Sequence, residues 1–318
     1  MPSTHQRLTP GRPHGRARAA LLVIGTSLAV AAVLAACSAQ PSLGTASGAK
    51  ASPAAAGGKA AGDWAHALQV VANLQADPPD KPVVLLFGGS AARESTVSDA
   101  SWRAQIEDEG GPATAAYNLG SRNRTAAQTL ALVQALPKVP TIIYLGVNLG
   151  AFTSAQKTAK ITLPDPVTPL PAYQQHQYSE SHILSTAQKQ AAVQNWLTKR
   201  YPVFKANLPT SAAVLERIIK VCKVRHLRPV LFDLPRDTAV IGGQLDAPIA
   251  RYRKACQALA KKYDIPYVSL VSRAKLPNGD FYDLWHLVEP GRTVWQQLLS
   301  KETAALLQEY GYGDGGGS

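Results

Sequence analysis

Five short runs along the chain are apolar at consecutive positions: VVLLF (83–87), TAAYNLG (114–120), TIIYLGVN (141–148), PVLFDLP (229–235) and IPYVSLV (265–271). Strands apolar on both faces belong in a parallel sheet covered on both sides. Between them lie segments with helical spacing: TAAQTLALVQALPK, VLERIIKVCKVRH, IARYRKACQALAKKY and a closing VWQQLLSKETAALLQEY. GDWAHALQVVANLQ ahead of the first strand reads as a lead-in helix. The alternation predicts an α/β fold of three layers, α/β/α, around five parallel strands joined by right-handed crossovers. Residues 149–210 break the rhythm with a proline-rich ITLPDPVTPLPAY and a helix around AQKQAAVQNWLTKRY. This is read as an insertion after the third strand, a lid or substrate platform at the edge where open α/β sheets bind ligands.

The ends of the chain read differently. Residues 38–62 are rich in Ala, Gly, Ser and Pro, and Leu43 is their single large apolar residue. Such a segment cannot bury enough surface to fold and is expected to be a tether. Residues 311–318, GYGDGGGS, form a glycine-rich tail. Ahead of the tether, arginines without acids precede the apolar run ALLVIGTSLAVAAVLAA and then Cys37. This is the layout of a signal peptide over residues 1–36. Its end, Leu34-Ala35-Ala36-Cys37, resembles the lipobox of bacterial lipoproteins, which implies a lipidated Cys37 as first mature residue. An uncleaved membrane anchor is the alternative. Either way residues 63–310 are expected outside the cytoplasm, held at a membrane.

Losing Arg7, Arg12, Arg16 and Arg18 with that segment takes the net charge from +12 to +8. The remaining positive charge is dispersed. No Lys/Arg block is interleaved with aromatics, so nucleic acid is not an expected partner. Cys222 and Cys256 remain in an oxidising compartment and leave two readings open: one disulfide, or two small buried residues in separate helices. The sequence sets no oligomeric state.

Four polar positions close the strands or follow them. Ser90 follows VVLLFGG, where Gly88 and Gly89 permit a tight turn; it is either a helix cap or a nucleophile. Gly120 closes the second strand and can offer a bare backbone N–H. Asn148 closes the third at the same sheet edge, as an oxyanion donor or a turn residue. In FYDLWHLVEPGR, Asp283 and His286 are three apart and share a face on a helical turn, so the carboxylate can hold the imidazole in one tautomer. The other histidines show no spaced ligand pattern, so neither a metal nor any organic cofactor is called for.

Taken in order, these blocks resemble the SGNH hydrolase superfamily, the GDSL-type esterases and acyltransferases, over roughly residues 81–310. The resemblance implies a flavodoxin-like sheet. It makes Ser90 the nucleophile, His286 the base and Asp283 its orienter, with Ser90, Gly120 and Asn148 as oxyanion donors. GGSAARE and YNLG look most like the envelope-associated branch. One departure is Gly89, where the family often has Asp; another is the long insertion. An ordinary α/β-hydrolase fits less well, because Ala92 stands where its G-x-S-x-G motif needs glycine.

The expected activity is that of a serine esterase or O-acyltransferase on acylated envelope polysaccharide or lipid. Arg93, Arg122 and Arg124 lie just after the first and second strands and are either binders of an acidic substrate or surface arginines. Asp233 and Arg236, at the end of the fourth strand, are candidates for lining the pocket; Trp285 either stacks on a sugar or packs in the core. Two other classes compete. One is a catalytically silent binding lipoprotein on the same fold. The other is a solute-binding lipoprotein, which would need a second α/β lobe and a hinge beyond what the residues after the tether can supply alongside the insertion.

Overall fold

The computed structural model describes residues 62–153 and 158–312. The signal segment, Cys37, the tether up to residue 61 and the tail from residue 313 lie outside the described residues. In chain order the strands are β1 (Val83–Phe87), β2 (Ala115–Asn118), β3 (Thr141–Val147), β4 (Arg228–Asp233) and β5 (Tyr267–Ser269). They form one parallel sheet in the order β2-β1-β3-β4-β5. This is the flavodoxin-like order, and it opens a crevice between the carboxyl ends of β1 and β3, where the chain turns from building one side of the sheet to building the other.

The helices are α1 (Asp63–Ala76), α2 (Ser90–Arg93), α3 (Asp99–Asp108), α4 (Ala126–Ala135), α5 (Thr186–Asn195), α6 (Tyr201–Val224), α7 (Thr238–Ile241), α8 (Asp246–Tyr263), α9 (Val271–Ala274) and α10 (Gly291–Glu309). β1 shows how they are sorted into layers. Val83, Leu85 and Phe87 pack into the core shared with α1, α4, α6 and α8, whereas Val84 and Leu86 pack into the core shared with α3 and α10. All five are at most 1% exposed. Burying each is worth roughly 1.5–3 kcal/mol.

The insertion boundary expected at 210 falls inside α6, which runs unbroken from Tyr201 through Pro209 to Val224. The helix expected around AQKQAAVQNWLTKRY is therefore α5 and the segment after it, whereas residues 201–210 are the first part of the crossover helix to β4. Its entry is a five-residue π-helical segment, Trp196–Arg200, joining α5 to α6.

The proline-rich part, from residue 158 to 185, is a mostly irregular strap. It meets α1 first, where Gln69 Nε2 donates to Asp165 O (2.8 Å), Asn73 bonds the backbone of Val167, and Tyr173 stacks on His66 at 4.0 Å. It then crosses the end of α2, where Gln175 Nε2 donates to Arg93 O at 2.8 Å. Further on, Tyr178 lies over His286, their ring centroids 4.6 Å apart.

The disulfide reading is not realised. Cys222 on α6 and Cys256 on α8 are both free thiols, each turned into the apolar layer against the sheet. Burial pushes the Cys222 thiol up to about 12, and raises that of Cys256 as well. Thiols held protonated in this way react poorly in exchange or oxidation. A reductant is therefore expected to leave the thermal midpoint of the purified protein unchanged. A fall of several degrees, measured by differential scanning calorimetry, would reveal a bridge.

Candidate active site

Ser90 is the first residue of α2, and the N-cap is Gly89, whose φ of −75° and ψ of −163° are ordinary extended values. Neither glycine of the pair is needed for a left-handed backbone. Gly88 is small because a Cβ there would fall 2.6 Å from Ala92 Cβ, and Gly89 leaves open space, with nothing within 4 Å of where its Cβ would be. Ser90 Oγ does not cap the helix. It bonds His286 Nε2 at 2.8 Å.

His286 comes from the loop after α9. The helical turn expected around Asp283 and His286 is instead an irregular bend, closed by an antiparallel bridge between Phe281 and Leu287. Asp283 shapes the bend itself, because its Oδ1 accepts the backbone N–H groups of Trp285 (2.8 Å) and His286 (3.0 Å). Both oxygens also meet His286 Nδ1, at 2.9 and 2.8 Å. A carboxylate can only accept, so Nδ1 carries the proton and Nε2 presents its lone pair to the serine hydroxyl. Burial works to raise the Asp283 pKa. The hydrogen bond and charge of His286, with the two backbone N–H groups, outweigh it and hold the carboxyl below its ordinary value. Asp283 is thus ionised wherever the imidazole has to become cationic.

A cavity of about 460 Å³ opens beside Ser90 and His286. Asn148 lines it from the end of β3. Its Oδ1 accepts from Ala151 N at 3.1 Å, while its Nδ2 donates to no group among the described residues. The Ser90 backbone N–H is likewise uncommitted, as expected at the first turn of a helix. Both residues line the same cavity as His286.

Gly120 is not a third donor here. Its N–H is spent on Asn118 Oδ1 at 2.9 Å, and the residue does not line the cavity. It must be glycine because a Cβ would lie 2.6 Å from Arg93 Cα, against the backbone of α2. Trp285 does line the cavity and is half-buried.

The other candidates lie elsewhere. Arg93 is wholly buried and pairs with Asp63 (2.7 Å) and Glu94 (2.8 Å). Arg122 is exposed outside the cavity, and its backbone N–H donates to Asp63 at 3.0 Å. Asp233 is fully buried and accepts from Arg236 (3.0 Å), Tyr252 (2.6 Å) and Ser269 (2.9 Å), so this pair fastens β4 to α8 and β5 and binds no substrate. Position after a strand told where these backbones are, but not which way the side chains turn.

Sequence reasoning missed the groups that hold the site. Asn118 Nδ2 ties the end of α2 through Ala92 O (2.8 Å) and Thr96 Oγ1 (2.7 Å). Glu94, with no exposed surface, accepts from Arg93, from Arg292 at 2.6 Å and from Gln177 N at 3.0 Å, and meets His176 at 3.2 Å. Lys189 of α5, also wholly buried, binds Asp237 (3.1 Å), Asn278 O (2.9 Å) and Phe281 O (2.8 Å), and so fixes the loop that carries the histidine. Asn118 sits within the quoted YNLG. Glu94 and Lys189 carry no local signal, since their partners are far away in sequence.

A serine hydroxyl aimed at an imidazole that is held by a carboxylate, at the carboxyl edge of a parallel sheet, is the constellation of a serine hydrolase. No known family profile matches the sequence, and no curated protein matches it. Among solved structures the chain is similar to a lipase/acylhydrolase from Enterococcus faecalis, at 14% identity over 71% of this chain and 96% of that one, with a TM-score of 0.42. It is also similar to AlinE4, an SGNH-hydrolase family esterase, at 16% identity over 73% and 98% with a TM-score of 0.36. A carbohydrate esterase family 3 protein from Talaromyces cellulolyticus aligns at 10% identity over 71% and 98%, with a TM-score of 0.41.

Two variants separate chemistry from packing at this edge. Asn148→Ala removes an uncommitted amide donor from the cavity and is expected to lower kcat on the order of a hundredfold to a thousandfold, the size of a lost oxyanion donor. Gly120→Ala is expected to lower stability by ~1–3 kcal/mol or more through overpacking, read from the urea midpoint. A Gly120→Ala protein as stable as wild type would remove the close contact with the Arg93 backbone from the account.

Glu94 sets a pH signature. Burial favours its neutral form, but the His176 and Gln177 hydrogen bonds and the charges of Arg292 and Arg93 prevail and depress its pKa below the ordinary 4.5. Its contribution to stability is therefore complete above pH 4.5 and is lost as pH falls through the lower folded-state value. Asp99, raised by burial to about 6, acts in the opposite direction over a higher window. Denaturant unfolding as a function of pH should show that Glu94→Gln costs ~3–5 kcal/mol at neutral pH and less below pH 4.5. A pH-independent difference would remove Glu94 from the account.

Proposed function

We propose that the protein is an SGNH-type serine ester hydrolase that works outside the cytoplasm on acyl esters of envelope glycan or lipid. The observation that carries the hydrolase reading is the unbroken chain from Ser90 Oγ through His286 Nε2 and Nδ1 to Asp283, with no link longer than 2.9 Å. The resemblance of the four sequence blocks adds the SGNH type. The layout of residues 1–37, with its charged lead, apolar run and lipobox-like ending, supports the location and the membrane anchor.

In this reading Ser90 Oγ attacks the ester carbonyl carbon as its proton passes to His286 Nε2. The carbonyl oxygen becomes an oxyanion facing Ser90 N–H and Asn148 Nδ2. Asp283 stabilises the imidazolium. The C–O bond to the alcohol breaks as His286 returns the proton to it, which leaves an acyl-serine. A water then gives a proton to His286 and its oxygen to the acyl carbon, releasing the acid and restoring Ser90. A sugar hydroxyl in place of that water would make the same site an acyltransferase. The proton of Ser90 leaves on the alcohol, and the proton His286 takes from water returns to Ser90 Oγ as the acyl–oxygen bond breaks.

The test is hydrolysis of 4-nitrophenyl acetate by the purified protein beside Ser90→Ala and His286→Ala. Wild type is expected to turn over, and either variant to lose on the order of 10⁴-fold or more in kcat. A fluorophosphonate is expected to label Ser90. If wild type is as inert as the variants and stays unlabelled, hydrolysis is abandoned for the binding-protein reading.

A further inference from the structure

Ester hydrolysis leaves one feature of the cavity unused. Arg124 stands in the cavity wall, and none of its three guanidinium nitrogens has a hydrogen-bond partner, although all three are shielded from water. Other buried arginines are paired, Arg93 and Arg292 with Glu94 and Arg236 with Asp233. What Arg124 has are two aromatic faces, with its guanidinium carbon 5.3 Å from the ring centroid of Trp64 and 5.6 Å from that of Phe87. Such contacts are worth ~0.5–2 kcal/mol, less than the several kcal/mol that an unpaired buried charge costs.

No neighbouring carboxylate makes up the difference. The charge of Asp63 reaches Arg124, but Asp63 Oδ2 is taken by Arg93 (2.7 Å) and Arg122 N (3.0 Å), and its Oδ1 by Tyr173 (3.5 Å). Burial drives the Arg124 pKa down to about 9 against the weaker pull of Tyr173 and Asp63. The missing element is an oxygen acceptor, preferably an anionic one.

A second observation agrees. No Asp or Glu lines the cavity, and a second cation does, Arg200, exposed and without an ion pair among the described residues. It is carried by the π-helical segment Trp196–Arg200, which also sends Trp196 to the lining. Deeper walls are apolar, with Phe152, Leu215 and Ile218. The cavity lining therefore combines greasy walls with two arginines, the guanidinium of Arg124 covered by the Trp64 and Phe87 rings, and no carboxylate.

We infer that the ester cleaved at Ser90 carries an oxyanion, a carboxylate or a phosphate, and that Arg124 recognises it with Arg200 in support. This rests on the hydrolase reading and adds the substrate's charge to it. In this inference the Arg124 side chain turns from the Trp64 and Phe87 rings toward the cavity that the residue lines, and presents its fork of donors to the bound oxyanion. That fork fits two oxygens at once.

The experiment compares kcat/KM for matched ester pairs. The acyl-side pair is mono-4-nitrophenyl glutarate against 4-nitrophenyl hexanoate. The alcohol-side pairs are 4-acetoxybenzoate against its methyl ester, and 4-acetoxyphenyl phosphate against phenyl acetate. Wild type is expected to favour the anionic member of at least one pair by about tenfold or more, as charge-assisted hydrogen bonds would give. The favoured pair identifies the anion and its side of the ester. In Arg124→Gln that ratio is expected to fall to near one, and Arg124→Lys should keep part of it. If the glutamine variant does not fold, the wild-type ratio and its reduction in Arg200→Gln still decide. Ser90-dependent turnover with no anionic preference in any pair overturns the inference and leaves the hydrolase intact, as does a preference that survives in Arg124→Gln. No Ser90-dependent turnover of any ester overturns both.

Discussion

The Glu94 carboxylate has no exposed surface, and it is the constraint on which the site depends. An ion that deep costs several kcal/mol unless it is fully met. Meeting it requires Arg93 from its own turn, Arg292 from α10, and His176 and Gln177 from the strap. Three stretches of chain, its own turn, α10 and the strap, must therefore be in place before the charge is tolerated. The nucleophile's helix has four residues, too few to stand alone. It is rigid because the last turn of chain beneath it is fastened to everything around it.

The same logic recurs on the other side of the triad. The loop bearing His286 has no regular structure, yet it is held from below by the Lys189 ammonium and from within by Asp283's own bonds to Trp285 and His286. Buried charges at such places define one arrangement, since any other leaves a charge unmet. The apolar layers supply bulk stability, and the charged knots choose among the ways of packing them. The insertion belongs to this choice: α5 provides the lysine, and the strap provides partners for Glu94.

β1 to β4 were legible because they are buried on both faces over most of their length and so read as apolar runs, while β5 is a short strand buried fully only at Val268. Ser90, Asn148, Asp283 and His286 were legible because each follows such a run or sits in a compact motif. Gly120 was legible as a necessity and misread in its reason. A glycine that bares an N–H and a glycine that lets two backbones touch look identical in sequence, and here the Arg93 backbone decides. Arg93 and Arg236 were placed at the correct edge but turn inward to Glu94 and Asp233. Lys189 and Glu94 were out of reach, since partners 48 and 198 residues away leave no mark in a local window. The helix through Pro209 hid the end of the insertion.

The nucleophile and its base are 196 residues apart in the chain. During synthesis Ser90 emerges early and is chemically an ordinary alcohol until the segment around residue 286 has arrived and docked. Arg292, which completes the cage around Glu94, comes later still. A growing or prematurely ended chain thus has the nucleophile without the means to use it. Any reactivity at Ser90 that depends on His286 is therefore a property of the finished chain alone.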